Sequence, residues 1–268
     1  QLRSSGKWHW VGYIGIVASI MILSFYSVVA GWTLEYLYQS ITGALNLNSQ
    51  EAYHAQFQQF STHPWRPLLW TILFLIVNFV IVIRGVQKGI ERMSNIMMPI
   101  LFLILIIFCI NSLLMPGAKE GLEFLFSPDF SKIDSSVMVS AMGQAFFSLS
   151  LGLGTMMTYA SYFSKETHIV KSATITACLD TTVAILSGVI IFAAVFTFGV
   201  SPTQGPALVF EVLPNIFNQL PGSTIWSILF FFLLFIASLS STISMSEVSI
   251  AYFTEEKKMS RNKATILN

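Results

Sequence analysis

The sequence predicts an all-α integral membrane protein, one transmembrane domain of six helical spans with one helix broken near residues 148–154. Three observations carry this. Charged residues make up only 10% of the 268 positions against 54% hydrophobic, where a soluble domain carries about 25% charged. Crossing ~30 Å of hydrocarbon takes about 20 apolar residues. Windows of that kind recur at Trp10–Tyr38, Trp65–Arg84, Ser94–Met115, Val137–Phe163, Ile169–Phe198 and Thr224–Phe253. The fourth window, VMVSAMGQAFFSLSLGLGTMMTYASYF, places Ser148, Ser150, Gly152 and Gly154 where a plain span would carry leucine.

Glycine inside a helix costs about 1 kcal/mol against alanine, and serine offers the backbone competing hydrogen bonds. The helix is therefore expected to weaken between Ser148 and Gly154. Unwound backbone at membrane depth is tolerated where it is buried in protein or lines a wet cavity, and half-helix ends aimed at one point suit ions and charged substrates. The plainer reading is that these small residues only let helices pack closely.

In the first span Ile22 and Tyr26 lie one turn apart near mid-membrane, and the Tyr26 hydroxyl needs a partner. Glu35 falls near the outer end, where it is expected to reach water in a structural role. Between the spans lie a polar loop (Asn46–His63), a basic turn (Gly85–Arg92), an acidic loop (Pro116–Ser136), a turn around Lys165–His168, and a connector with Pro202, Pro206, Pro214 and Pro221. In that connector Ala207–Phe217, with Glu211, reads either as a helical piece dipping toward the protein or as a solvated link. Of the 14 Lys and Arg residues, all but Arg66, Lys119 and Lys132 fall on the side of the N-terminus. That bias puts both termini in the cytoplasm of a multi-pass protein of the cell membrane. All six tryptophans fall at expected interfaces. Cys109 and Cys178 lie within apolar runs and read as core residues rather than a disulfide or metal site. Basic residues are too scattered for nucleic acid.

An ionisable group inside a span costs about 2.5–3.5 kcal/mol on insertion scales, so Asp180 in the fifth span needs a reason. Thr176, Thr181 and Thr182 surround it with hydroxyls, and a carboxylate among hydroxyls is hard-oxygen chemistry suited to Na⁺ or a proton. It also reads as a helix-to-helix hydrogen-bonding group. In the last span Ala237, Ser240, Ser241 and Ser244 share a face that Glu247 continues. Serines of this kind either replace part of an ion's hydration shell or simply pack helices. No HExxH or GxSxG pattern occurs. The enzyme reading left open is an intramembrane hydrolase using Asp180, with Glu247 as its second carboxylate.

The run Gly143-Gln144-Ala145-Phe146-Phe147-Ser148-Leu149-Ser150-Leu151-Gly152-Leu153-Gly154, followed by Thr158-Tyr159-Ala160-Ser161-Tyr162, resembles the broken sixth helix of the neurotransmitter:sodium symporters, the family with the leucine-transporter fold. Tyr26 with Gly31-Trp32-Thr33-Leu34 is similar to the family's third helix, and Phe230 through Ser241 to its eighth. The resemblance covers nearly the whole chain as family helices three to eight, so the chain looks like a bacterial-type fragment of a bundle built on an inverted repeat. It implies alternating-access symport of an amino acid with Na⁺ and no organic cofactor, by a complete protein of which this chain is a core. A chain of this extent alone is not expected to transport.

Residue by residue, the resemblance implies Ser148 and Asp180 as ligands of one sodium site, where many relatives have asparagine at the Asp180 position. Ala237, Ser240 and Ser241 match the second sodium site. Ile22, Tyr26, Phe147, Ser148, Ser150, Leu153, Ser240 and Met245 match the substrate pocket, with Tyr26 toward the substrate carboxylate, Phe147 as outer lid and Ser150 beside the unwound backbone. Tyr162 and Glu255 match the cytoplasmic gate. Ala184 supplies neither the glutamate nor the serine found at that position in relatives, which leaves Asp180 as the compensating charge and implies chloride independence. Leu153, Met245 and Ile22 make an apolar wall, favouring a hydrophobic amino acid. The reading from another class is a non-transporting, receptor-like or structural relative that keeps the pocket.

Overall fold

Helix is the only regular structure among the described residues, as a chain in hydrocarbon requires when every backbone group must find its partner locally. A computed structural model describes residues 9–83, 87–161, 168–199 and 207–268. The helices are α1 (His9–Thr42), α2 (Gln50–Ser61), α3 (Arg66–Ile83), α4 (Gln87–Ser112), α5 (Ala118–Phe126), α6 (Ser135–Ser148), α7 (Thr155–Ser161), α8 (Ile169–Phe198), α9 (Ala207–Asn218), α10 (Ser223–Glu255) and α11 (Arg261–Leu267), with one 3₁₀ turn at Phe130–Lys132. Among the described residues α1, α3, α8 and α10 are each long and apolar enough to cross a membrane, while the apolar part of α4, Met98–Ser112, is shorter. Over the fourth apolar window the chain forms two helices, α6 and α7.

Several hydroxyl side chains inside the long helices are satisfied by their own backbone. In α1 the hydroxyls of Ser24, Ser27 and Ser40 donate to the carbonyls of Ile20, Leu23 and Tyr36, each four residues back. A buried serine is thereby made compatible with a span. Helix α1 packs against α10 and α3, α8 against α4 and α5, and α2 against α9. The α1–α3 contact is made close at Gly31, where an added Cβ would lie 2.8 Å from the Thr71 nitrogen.

Two short helices, α2 and α5, depart from the loops expected between spans, and α9 decides between the two readings of Ala207–Phe217. Within Asn46–His63 the chain forms α2, capped by Ser49, whose side chain accepts from the Ala52 amide. The acidic stretch Pro116–Ser136 contains α5, and Gly85–Arg92 is mostly the start of α4. Pro214 lies inside α9 rather than in a solvated link. Leu208, Phe210, Val212, Leu213, Ile216 and Phe217 are all buried, so α9 is inserted into the protein rather than laid on it.

The largest buried cluster joins α1, α2, α4, α9 and α10 through Tyr36, Phe57, Phe108, Phe210, Phe217 and Phe231. Phe57 and Phe210 stack with centroids 5.9 Å apart and planes within 5°. Trp32 belongs here and not to an interfacial belt, since its ring meets Phe57 and Phe210 at 5.4 and 5.7 Å. Glu35 is corrected likewise. It is fully buried, not reaching water, and Arg66 grips it with Nη2 at 2.6 Å from Oε1 and Nε at 3.2 Å from Oε2. The Gln39 amide also donates to it. A buried carboxylate requires such a partner.

Candidate functional site

Helix α6 ends at Ser148 in a standard stop. The Leu151 amide donates to the Phe146 carbonyl at 2.8 Å and the Ser150 amide to the Phe147 carbonyl at 3.1 Å. This is the paired bonding of a Schellman motif, and its left-handed residue is Ser150, at φ 53°. Glycine usually holds that position because a Cβ there costs roughly 1–2 kcal/mol. Gly152 and Gly154, both at φ 79°, carry the chain through the next turns until α7 starts at Thr155. Residues 149–154 are thus tightly turned chain between two helix ends.

The last residue of α6 meets the middle of α8. The Ser148 hydroxyl lies 2.7 Å from Oδ1 and 2.8 Å from Oδ2 of Asp180. These are ordinary O–H···O hydrogen-bond lengths. Asp180 is half-buried and Ser148 exposed, because α6 buries none of its residues and the face it shares with α8 is open. Phe147, the preceding residue, is 48% exposed.

The other side of the turned chain rests on α1 and α10. A Cβ on Gly15 would lie 3.5 Å from the Gly152 carbonyl oxygen and 3.6 Å from the Gly154 nitrogen. One on Gly154 would lie 3.2 Å from Val248. The Ser19 hydroxyl donates to the Met245 carbonyl at 3.2 Å, pinning α1 to α10 at this level. Met245 is buried, Ile22, Tyr26, Ser150 and Leu153 half-buried. Among the described residues the Tyr26 hydroxyl bonds to no protein group.

On α10, Ser240 donates to the Ala237 carbonyl at 2.9 Å and Ser244 to the Ser240 carbonyl at 2.8 Å. A hydroxyl whose hydrogen is turned into its own helix offers lone pairs elsewhere, the polarity a cation needs. Ala237 and Ser241 are half-buried beside it. No hydrogen bond among the described residues joins this face to the Ser148–Asp180 pair, so the expected ion ligands form two polar groups rather than one. Glu247 belongs to neither. Both of its oxygens are taken by Arg261, at 3.1 and 2.7 Å, and the carboxylate pair with Asp180 that hydrolysis would require is not made. Glu255 is the exposed last residue of α10, and Tyr162 lies outside the described residues. No cluster of three His, Cys, Asp or Glu side chains occurs among the described residues. The side-chain donors of the two groups, serine hydroxyls and the Asp180 carboxyl, are hard oxygens.

Gly15 and Ser19 escaped the sequence reading, although they share a helical face with Ile22 and Tyr26 at spacings of four, three and four residues. That periodicity was the available signal.

A family model described as the sodium:neurotransmitter symporter family matches residues 54–267. The chain is 38% identical over 267 residues to an uncharacterized sodium-dependent transporter of Haemophilus influenzae, covering 98% of this chain and 58% of that protein. It is 41% identical over 256 residues to the uncharacterized sodium-dependent transporter YhdH of Bacillus subtilis, covering 96% and 57%. Its fold matches the crystal structure of MhsT in complex with L-phenylalanine with a TM-score of 0.95 and 47% identity, over 99% of this chain and 60% of that one. The chain thus spans between 57% and 60% of the length of these three relatives.

Proposed function

We propose that this chain, which belongs to the sodium:neurotransmitter symporter family, forms part of a symporter that carries a hydrophobic amino acid together with Na⁺ by alternating access. The chain is that of a multi-pass membrane protein, and its family consists of sodium-dependent transporters, not enzymes. The hydrolase reading falls with that.

One observation carries the proposal: the Ser148 hydroxyl on both oxygens of Asp180, at the point where a helix stops inside an apolar stretch. A carboxylate at this depth is costly by itself. A co-transported sodium ion would neutralise it and take the serine oxygen as a second ligand. Ala237, Ser240 and Ser241 would hold a second ion with their outward lone pairs. Bound sodium would draw the turned chain at 149–154 into one arrangement, so that substrate binds more tightly. Coupling of this kind is typically about 1–3 kcal/mol.

For the substrate, Ile22, Leu153 and Met245 would line the apolar side of the pocket. Tyr26 would receive the carboxylate, Phe147 would close over the side chain, and Ser150 would stand beside the backbone that receives the amino group. Tyr162 and Glu255 would belong to the gate on the cytoplasmic side, the side on which the positive-charge bias would put both ends of this chain. The phenylalanine bound in MhsT supports a hydrophobic amino acid. The rest of the length found in the relatives would cover the open face of α6 and α8.

The test is uptake of labelled L-phenylalanine by the full-length protein in liposomes, with an inward sodium gradient against an equal potassium gradient. Sodium-dependent uptake is expected, unchanged when chloride is replaced by gluconate. Asp180→Asn should raise the sodium concentration for half-maximal uptake by about 5–150-fold. Binding of the amino acid without transport would favour a receptor-like relative, and equal uptake in both gradients would overturn sodium coupling. The 268-residue chain by itself should show no uptake.

A further inference from the structure

Away from the candidate site, α1, α3 and α10 meet along a seam that contains an unanswered carboxamide. Asn78 on α3 is fully buried, and neither its Nδ2 nor its Oδ1 finds a protein partner among the described residues. The surroundings can be placed by register. One turn earlier Phe74 packs with Ala30, Ile236 and Leu239, and one turn later Val82 packs with Ile250, with Ile243 against them. Phe74, Asn78 and Val82 share one face of α3, and Leu239, Ile243, Ser246 and Ile250 share one face of α10. This register sets Asn78 at the level of Ile243 and Ser246 on α10. The Ser246 hydroxyl is also buried and also without a protein partner among the described residues.

Two polar groups buried on facing helices, each unpaired and not bonded to one another, require a third party. Oδ1 needs a donor and Nδ2 an acceptor, while the serine can serve as either. Neither side chain is charged, which suits a small neutral ligand with both capacities. We infer that a water molecule is bound between Asn78 and Ser246 in the α3–α10 seam, beside α1. Such a water holds two to four hydrogen bonds and counts as part of the fold. The contact between these helices is then made at one level by an exchangeable molecule, with apolar side chains locking it above and below.

Two measurements on the full-length protein test this. An experimental structure that resolves ordered water should show density within hydrogen-bonding distance of both side chains. Density absent there, or a direct Asn78–Ser246 bond, overturns the inference. Independently, thermal unfolding of Asn78→Leu, Ser246→Ala and the double variant should be non-additive. Removing one partner strands the other, whereas removing both leaves an apolar seam. The double variant should melt above the sum of the single shifts by about 2–4 °C. Additive shifts would overturn the bridge even if every variant folds, and the structure decides the matter if any does not.

Discussion

At the scale of single residues, the ion pair of Glu35 sets a stability prediction larger than most surface charges could. Glu35 is fully buried and Arg66 half exposed, so losing the arginine leaves a carboxylate in a dry place, whereas losing an exposed pair changes stability by about 1 kcal/mol or less. Arg66→Ala should destabilise by about 3–5 kcal/mol, read as a lowered melting temperature. Arg66→Lys should fall between, because a lysine keeps the charge and loses the two-pronged grip. Asp180 and Glu35 show how far residues alone could be read. An aspartate inside an apolar run is conspicuous in any sequence, and so is the Ser148–Gly154 composition. That Glu35 is sealed from water depends on Arg66, which lies 31 positions away and carries no local signal of its target.

At the scale of elements, helix ends decide where the chain stops and starts. Asp134 caps α6, and its carboxyl is held below the usual range, chiefly by the Val137 amide and next by the Ser136 hydroxyl. A depressed carboxylate contributes stability that is present above its ordinary value of 3.8 and is lost as the pH falls through the lowered one. The protection of the amides in the first turn of α6, relative to their intrinsic exchange rates at each pH, should therefore fall in acid below that ordinary value. Asp134→Asn should keep the cap and abolish the acid dependence. At the other end of α6, Ser150→Gly relieves the left-handed serine and should stabilise the protein by about 1 kcal/mol, while weakening amino-acid binding if the hydroxyl faces the substrate. Thermal melting and ligand titration on the same variant separate the two effects. Long elements were legible because hydropathy alone marks them: α8 has the bounds Ile169–Phe198 in sequence and structure, and α3 differs by a residue at each end. The helices α2 and α5 were not, and α9 was legible only as one of two readings of Ala207–Phe217, since each has 12 residues or fewer. Helices so short owe their form to packing against neighbours, here the α2–α9 and α5–α8 contacts.

At the scale of the whole molecule, two separate elements are tied into one layer at the Thr42 end of α1. His54 Nδ1 lies 2.9 Å from the buried Glu211, the Asn215 amide donates to Gln50 at 2.8 Å, and the Asn218 amide to the Leu47 carbonyl at 2.6 Å. His54→Ala should strand Glu211 and lower stability by about 1–3 kcal/mol. Amide exchange should rise in α2 and α9 together and stay unchanged in α3; a rise confined to α2 would show that the two helices do not act as one. The aromatic cluster under this layer also fixes a point of rotation. Tyr36 sits in that cluster, and Ser19, 17 residues down the same helix, donates a hydrogen bond of 3.2 Å to α10. Those residues span about 25 Å of helix at 1.5 Å each, so a tilt of about 5° pivoting on the cluster swings the Ser19 end by about 2 Å. Beyond Ser19 the Tyr13 ring meets Tyr252 of α10 at 5.7 Å, so a tilt that shifts Gly15 against the turned chain between α6 and α7 must carry α10 with it.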